Sequence, residues 1–493
     1  MMALVNRDGG LDLAAGTTIS LEIQNPLFKF DAVPGTTSYT FSIPWTPGNL
    51  RQLNFPHVRA AQGERIAPEP YGLVLDGVLW RQGSLVYKDC DEQKRTWQYT
   101  FAAGAADLQA RIDGRTLRQL ELGRTALELR PDAELYALPM HHNPQFYAKN
   151  DSFTMGAGFI NDYRNGAYRL NATGGTWQFP IVPFLRLVPL LERVFGALGY
   201  RVSGEWLTDA ADLVCYSDRA VEVLAAPTDT LPQLPADFAL NQHVPDLGVG
   251  ELLVSLQKLF GLGFDFHPVR PEVRIVRLRD VVADQAYVER TGGPARSVPA
   301  EYGGFLLKMG LEDDELNKTR DTSWAQLRVG NGKTTIDTLA GTLHVLEVAD
   351  ASDNSRRLVP AVLAKGASPA FEAGEDSRAG LRLLYDRGLS TYQGSTYPLA
   401  TSASPGGAGL PALRWPGADG LYAVSYQAWL EFLDRASREE RTMVFRVADL
   451  LSLDPLRKEL VGGRKYLWEK VSVSVSTARR LESARFTYRP IRR

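Results

Sequence analysis

The amino-acid sequence predicts a mainly β protein with a few helices, an α+β chain divided into several domains. Short runs that alternate polar with apolar residues recur along most of the chain, and glycine, proline and asparagine punctuate them. Only three stretches carry helical spacing. The length of 493 residues exceeds what one core supports, since single hydrophobic cores stop growing near ~250 to 300 residues.

The first hundred residues are strand territory. Leu21-Glu22-Ile23 and the run Ser38 to Pro44 alternate, which places one face of each strand on a core. Leu73-Val74-Leu75 and Val78-Leu79-Trp80 flank Asp76-Gly77, a dipeptide that tolerates positive φ and predicts a two-residue hairpin. Ser84 to Tyr87 and Thr96 to Phe101 form a second expected hairpin across the polar loop Lys88 to Lys94. From Arg111 to Gln178 the pattern weakens, and Pro131, Pro139 and Pro144 break any long element.

A helix is expected over 183–198, opened by Pro183, with Leu187, Leu191, Val194, Phe195 and Leu198 on one face and Gly199 ending it. Tyr200 to Gly204 follows as a short strand. A second helix is expected over 249–260, with Leu252, Leu253, Leu256, Leu259 and Phe260 on one side and Gly261 after it. Phe264-Asp265-Phe266 and Val273 to Leu278 then read as strands. The two helix-to-strand junctions echo each other about 65 residues apart, a weak repeat signal. Strands dominate beyond Gly303, with loop-rich stretches at Gly366 to Gly380 and Thr401 to Gly409. Leu421 to Ala436 has helical spacing, while Val444 to Leu451 and Tyr466 to Ser476 read as closing strands. The expected segments are 1–110 as an N-terminal β module, 111–245 and 246–365 as mixed domains, and 366–493 as a C-terminal β module.

Bulk properties narrow the function. Lysine plus arginine number 55 against 57 acidic residues, a formal charge of -2, so no global positive field is available for a nucleic-acid reader. DNA passing through a ring would need no such attraction. Cys90 and Cys215 stand apart in sequence, which supports neither a disulfide framework nor a cysteine zinc site. Met1 to Gly16 lacks the basic stretch and apolar core of a secretory signal, so a protein that is not exported is expected. The most apolar stretch, Ile181 to Leu198, is interrupted by Arg186, Glu192 and Arg193, short of the ~20 apolar residues a membrane span needs.

Motifs for chemistry are sparse. The six histidines, His57, His141, His142, His243, His267 and His344, show no metal-binding spacing. The His141-His142 pair is the best metal candidate, yet adjacent side chains point apart on most backbones, and a loop is the expected location. Gly330-Asn331-Gly332-Lys333-Thr334-Thr335 has a phosphate-loop flavour, but Leu327 stands where the first glycine belongs, and a hairpin turn is expected instead. The pairs Gly174-Gly175 and Gly406-Gly407 lack the context of a dinucleotide fingerprint. Glu312-Asp313-Asp314-Glu315 lacks the alternate spacing of a calcium loop and reads as a solvated loop. No catalytic, cofactor-binding or metal residue is assigned, and no enzymatic activity is expected.

Several segments resemble a known family. Ile23-Gln24-Asn25-Pro26-Leu27-Phe28, Asp31-Ala32-Val33-Pro34-Gly35, Tyr39 to Pro44 and Asn49 look like the opening of tail proteins of phages and prophages from Bacteroidetes-type bacteria. Phe195-Gly196-Ala197-Leu198-Gly199-Tyr200 is similar to a helix end in their middle. Gly420-Leu421-Tyr422, Trp429 to Leu433, Asp449 to Asp454 and Gly462 to Leu467 resemble the closing barrel of bacteriophage tail-hub proteins. The resemblance implies tail-tube-like β-barrel modules at both ends, and a baseplate-hub or tail-tip virion protein at the distal end of the tail, assembled in the host cytoplasm. It implies a homotrimer that contacts tail tube, distal tail, tape-measure and tip or fibre proteins around a DNA channel. No catalytic residue comes with it.

A rival reading is a carbohydrate-binding or carbohydrate-active protein, motivated by 9 Trp, 19 Tyr and 20 Phe in a β-rich chain. Many of these aromatics fall in alternating strands or helical stripes, which makes them core candidates. Geometry supports the ring, because three chains match a six-fold tube only if each presents two similar modules, and head-to-tail contacts stay finite only when the rotation closes.

Overall fold

The computed structural model describes residues 2–29, 31, 35–112, 114–146, 158–170, 180–221, 234–299, 303–350, 353–364, 377–404, 406, 410–477 and 483–491. The chain is mainly β with helices, as the alternation predicts. It divides into two compact units, each assembled from non-contiguous segments. Unit 1 comprises Met1–Asp113, Leu262–Tyr302 and Ala428–Arg493, and unit 2 comprises Gly114–Gly261 and Gly303–Gln427. The four expected segments run consecutively along the chain; these units cut across them, because strands choose partners by face and edge complementarity and not by proximity in sequence.

Unit 1 is built on one 14-stranded sheet. The hairpin at Asp76-Gly77 forms as predicted, joining strands Glu69–Leu75 and Val78–Asp91. Both turn residues take positive φ, 49° at Asp76 and 82° at Gly77, the backbone of a turn whose twist matches its strands. The next hairpin pairs Val78–Asp91 with Thr96–Ala103, so strand extends through much of the expected polar loop and the turn is confined to Glu92 to Arg95. The decisive pairing joins the chain's extremes: Thr18–Gln24 runs antiparallel to Arg464–Ser476 from Thr18 opposite Ser476 to Gln24 opposite Lys470. The sheet closes over one apolar core in which Leu4, Ile23, Leu73, Trp97, Phe101, Val471, Phe486 and Tyr488 are buried.

Unit 2 distributes its strands over small sheets of two to five strands. Phe184–Arg186 lies between Tyr136–Ala137 and Leu213–Cys215, and Leu383–Tyr392 and Ser395–Thr401 complete that sheet. The helix expected over 183–198 therefore starts later, at Leu187–Ala197, because Phe184 and Leu185 bury as strand residues and leave Pro183 outside it. Leu187, Leu191, Val194 and Phe195 form its buried face as predicted. Helix Val249–Phe260 matches its expected bounds and ends on Gly261 at φ 61°. Any Cβ at Gly261 would approach the Ser425 carbonyl to 2.9 Å, so only glycine fits.

Two further expectations need correction. Val444 to Leu451 is not a strand: Val447–Leu451 is a short helix in unit 1, and the Asp449 carboxylate accepts the Arg446 N–H at 2.9 Å. That local cap outweighs the β-branched composition. Gln326–Gly330 and Thr334–Thr338 do not form a hairpin with each other. Both flank Gly304–Met309, the first antiparallel and the second parallel, so the Asn331-Gly332-Lys333 turn carries the chain past the central strand. Leu421 to Ala436 is helical, opening with a wide turn at Tyr422–Tyr426 before helix Gln427–Arg435.

Candidate functional site

The residues singled out in the sequence are placed apart. His141 and His142 sit on a two-residue strand and not in a loop, with His142 opposite both Phe159 and Ala361. His141 is fully buried against Phe184 and Tyr216, and burial pushes its imidazole down to about 3, so it is neutral. The phosphate-loop candidate is followed by a strand, which offers no helix N-terminus to an anion. Gly174-Gly175 lies outside the described residues, as does Gly407.

The acidic run is not the solvated loop its composition predicts. Asp313 faces solvent, but Asp314 is buried and its carboxylate accepts the Asn317 and Leu363 N–H groups, each at 2.9 Å. Glu312 pairs with the Arg382 guanidinium at 2.9 Å and accepts the Gly380 N–H at 3.1 Å. Its carboxyl is nonetheless held above the usual range, because burial outweighs the arginine. Two of four acids thus brace the fold of unit 2. Among the described residues no group of three or more His, Cys, Asp or Glu is placed to hold a metal ion.

One serine–histidine pairing escapes sequence reading. Ser217 Oγ lies 3.5 Å from His243 Nδ1, with Asp218 adjacent in the chain. The geometry is unsuited to acyl transfer. Both partners are buried, burial and the Arg219 charge push His243 down to about 3, and Asp218 accepts from Ser377 Oγ at 2.7 Å instead of orienting the imidazole. Ser217 and His243 are 26 residues apart with no motif between them, so no local signal reveals the contact.

Unit 1 carries a polar network that ties its segments. Arg290 reaches Glu459 at 3.1 Å and Asp449 at 3.0 Å, and Glu459 also accepts the Tyr488 hydroxyl. Glu439 accepts the Tyr466 hydroxyl at 3.0 Å and pairs with Arg441 at 2.9 Å. Lys458 donates to the Val282 carbonyl at 2.7 Å. The Arg290 and Lys458 contacts fix the 262–302 segment to the C-terminal segment, because a buried charge is tolerated only when paired.

The large sheet ends on an exposed strand. Strand Ala295–Val298 pairs with Arg438–Met443 on one side, and among the described residues no strand pairs its other side. Ala295, Arg296 and Ser297 are exposed, and Val444, just past the neighbouring strand, is 80% exposed. An unpaired strand edge presents N–H and C=O groups in the spacing a further strand needs.

In unit 2 a cleft of about 730 Å³, including its open mouth, is lined by Trp324, Thr342, His344, Ser402, Arg414 and Asp419, among others. Trp324 meets His344 edge to face at 5.4 Å, and Arg414 pairs with Asp419 at 2.6 Å.

No protein-family model matches the chain, and no curated protein matches it. Among solved structures, similarity is found to the 43 kDa tail protein of prophage MuSo2 from Shewanella oneidensis, at 10% identity and TM-score 0.37, covering 99% of this chain and 96% of that one. A tail protein from Neisseria meningitidis MC58 matches at 7% identity and TM-score 0.38, covering 99% of this chain and 95% of that one. Both overlays are loose and both identities low, so these names describe those proteins and not this chain.

Proposed function

We propose that this chain is a non-enzymatic structural protein of a bacteriophage tail, a homotrimeric hub in the tail tip. In this reading it joins tail tube, distal tail and tape-measure proteins to tip or fibre proteins around a DNA channel, and it is assembled in the host cytoplasm. One observation carries the reading. The N-terminal and C-terminal segments that resemble tail hubs share one sheet in unit 1, with Ile23 opposite Val471, so they build one module in place of the two expected at the chain's ends, and among the described residues that sheet ends on an unpaired edge. A ring of copies would cover such edges, which otherwise invite uncontrolled pairing. The net charge of -2 suits a channel that DNA crosses without sticking.

The test is the solution mass of the purified chain, measured by light scattering, together with negative-stain imaging. The expected result is a particle of three times the 54.5 kDa chain mass with three-fold views. A monomer or a two-fold dimer at every concentration tested refutes the hub.

The carbohydrate reading has one location, the Trp324 cleft, whose indole, charged pair and neutral imidazole would stack and hydrogen-bond a sugar. Six of the eight described tryptophans are buried, however, so no broad aromatic platform supports it.

A further inference from the structure

Unit 1 contains a cleft of about 480 Å³, including its open mouth, and Arg81 is the one cation among the described residues lining it. The register of the sheet explains why an arginine is there. Opposite Val74 stands Leu79, but opposite Leu73 stands Arg81, so Trp80 is an extra residue in a β-bulge. Leu73 is fully buried, and residues directly opposite share a face of the sheet. The bulge therefore turns Arg81 to the inner side, where strict alternation from the buried Trp80 would have sent it outward.

One nitrogen of the guanidinium is left unsatisfied. Its carbon sits 4.8 Å from the Trp80 ring, and its Nε is buried with no hydrogen-bond partner. The acid nearest in the lining, Asp265, is held by Arg274 Nη2 at 2.9 Å. Burial pulls Arg81 down to about 10, so it stays cationic at neutral pH. A buried cation whose neighbouring carboxylate is engaged by another arginine is costly, and a ligand that brings a further anion would reduce that cost.

The remaining walls specify the ligand. Phe266, Pro268, Pro455 and Trp468 make them largely apolar. A single guanidinium presents a planar fork that matches a carboxylate through two parallel N–H···O bonds. A phosphate dianion is disfavoured, because Arg81 is the one cation among the described lining residues and it shares the lining with the Asp265 carboxylate. We propose that the Arg81 cleft binds one carboxylate, carried on an apolar or aromatic segment of a partner protein.

The probes are phenylacetate, the neutral phenylacetamide and phenylphosphonate, each titrated against the full chain by saturation-transfer NMR. Phenylacetate should give a saturable signal, and Arg81→Gln should weaken it by at least about tenfold, the scale of one charge-assisted bidentate contact. Arg81→Lys, which keeps the charge and loses the fork, should weaken it to an intermediate degree. Phenylacetamide and phenylphosphonate should bind more weakly than phenylacetate. If Arg81→Gln fails to fold, as a thermal melt will tell, Arg81→Lys carries the test, and unchanged affinity in it overturns the proposal. Absence of a phenylacetate signal, equal binding of the amide, or tighter binding of the phosphonate overturns it too. Oligomeric state is a separate measurement, so the cleft and the hub stand or fall independently.

Discussion

The two units solve the same problem in opposite ways. Unit 1 is one long hydrogen-bonded ladder over one apolar core, built from segments as far apart as Ile23 and Val471. Unit 2 is a set of small sheets joined by buried polar contacts. Asn161 Nδ2 donates to the carbonyls of Pro139 at 3.0 Å and Val182 at 2.8 Å. The fully buried Asp350 pairs with Arg164 at 2.7 Å and Arg357 at 3.1 Å, while Asp162 pairs with Arg164 and Arg169 at 3.0 Å each. A continuous ladder can spread a local defect over many packed side chains. A polar joint concentrates the loss at one group, since a charge deprived of its partner is left unsolvated.

The largest expected effect lies in unit 1. Phe486→Ala removes a fully buried ring stacked on Tyr488 at 5.1 Å between centroids, and should cost about 4 kcal/mol in chemical denaturation. Amide exchange should accelerate along Thr18–Gln24 as well as near residue 486, because both belong to one sheet; an effect confined to the mutated strand would break the comparison. Asp350→Ala should cost about 3 kcal/mol in the same assay, the scale of stranding buried guanidiniums. A loss under 1 kcal/mol there, comparable to an exposed ion pair, would show that unit 2 does not depend on its polar joints.

Gly77→Val tests the ladder at its turn. Nothing lies within 4 Å of an added Cβ, so the penalty comes from the backbone alone at φ 82°, and the expected loss is about 1 to 2 kcal/mol. An unchanged melting temperature would mean that the turn is not under that constraint in solution.

The smallest effect is a pH dependence. Burial raises Glu69 from its ordinary 4.5 to about 7, partly opposed by Arg59. Between those values the folded chain holds a proton that the unfolded chain has lost, so stability falls as pH rises through that window and levels off above 7. Glu69 is only half-buried, and solvent screening limits the change to about 1 kcal/mol. Glu69→Gln should flatten this slope in melts taken from pH 4 to 8; an unaltered slope assigns the effect elsewhere.

Legibility follows the same division. Helix Val249–Phe260 and the Asp76-Gly77 hairpin were readable because every residue that decides them is a near neighbour in sequence. Val444 to Leu451 misled because its β-branched residues suggest strand, whereas a cap from Asp449 sets the helix. The Gly330 turn misled because its flanking strands share a partner, Gly304–Met309, that precedes them by some twenty residues. In the acidic run, nothing local says that Arg382 and Leu363 will turn two of four carboxylates inward.

By itself the sequence determined the mainly β character, the alternation that marks each strand's buried face, and the caps and turns. These depend on periodicity and on φ preferences carried by adjacent residues. Only the tertiary structure decided that Thr18–Gln24 pairs with Arg464–Ser476, that a bulge at Trp80 aims Arg81 inward, and that Ala295–Val298 ends the sheet. Long-range pairing must first overcome the entropy of closing a large loop, and it is settled by the collective fit of many remote side chains, which no local pattern contains.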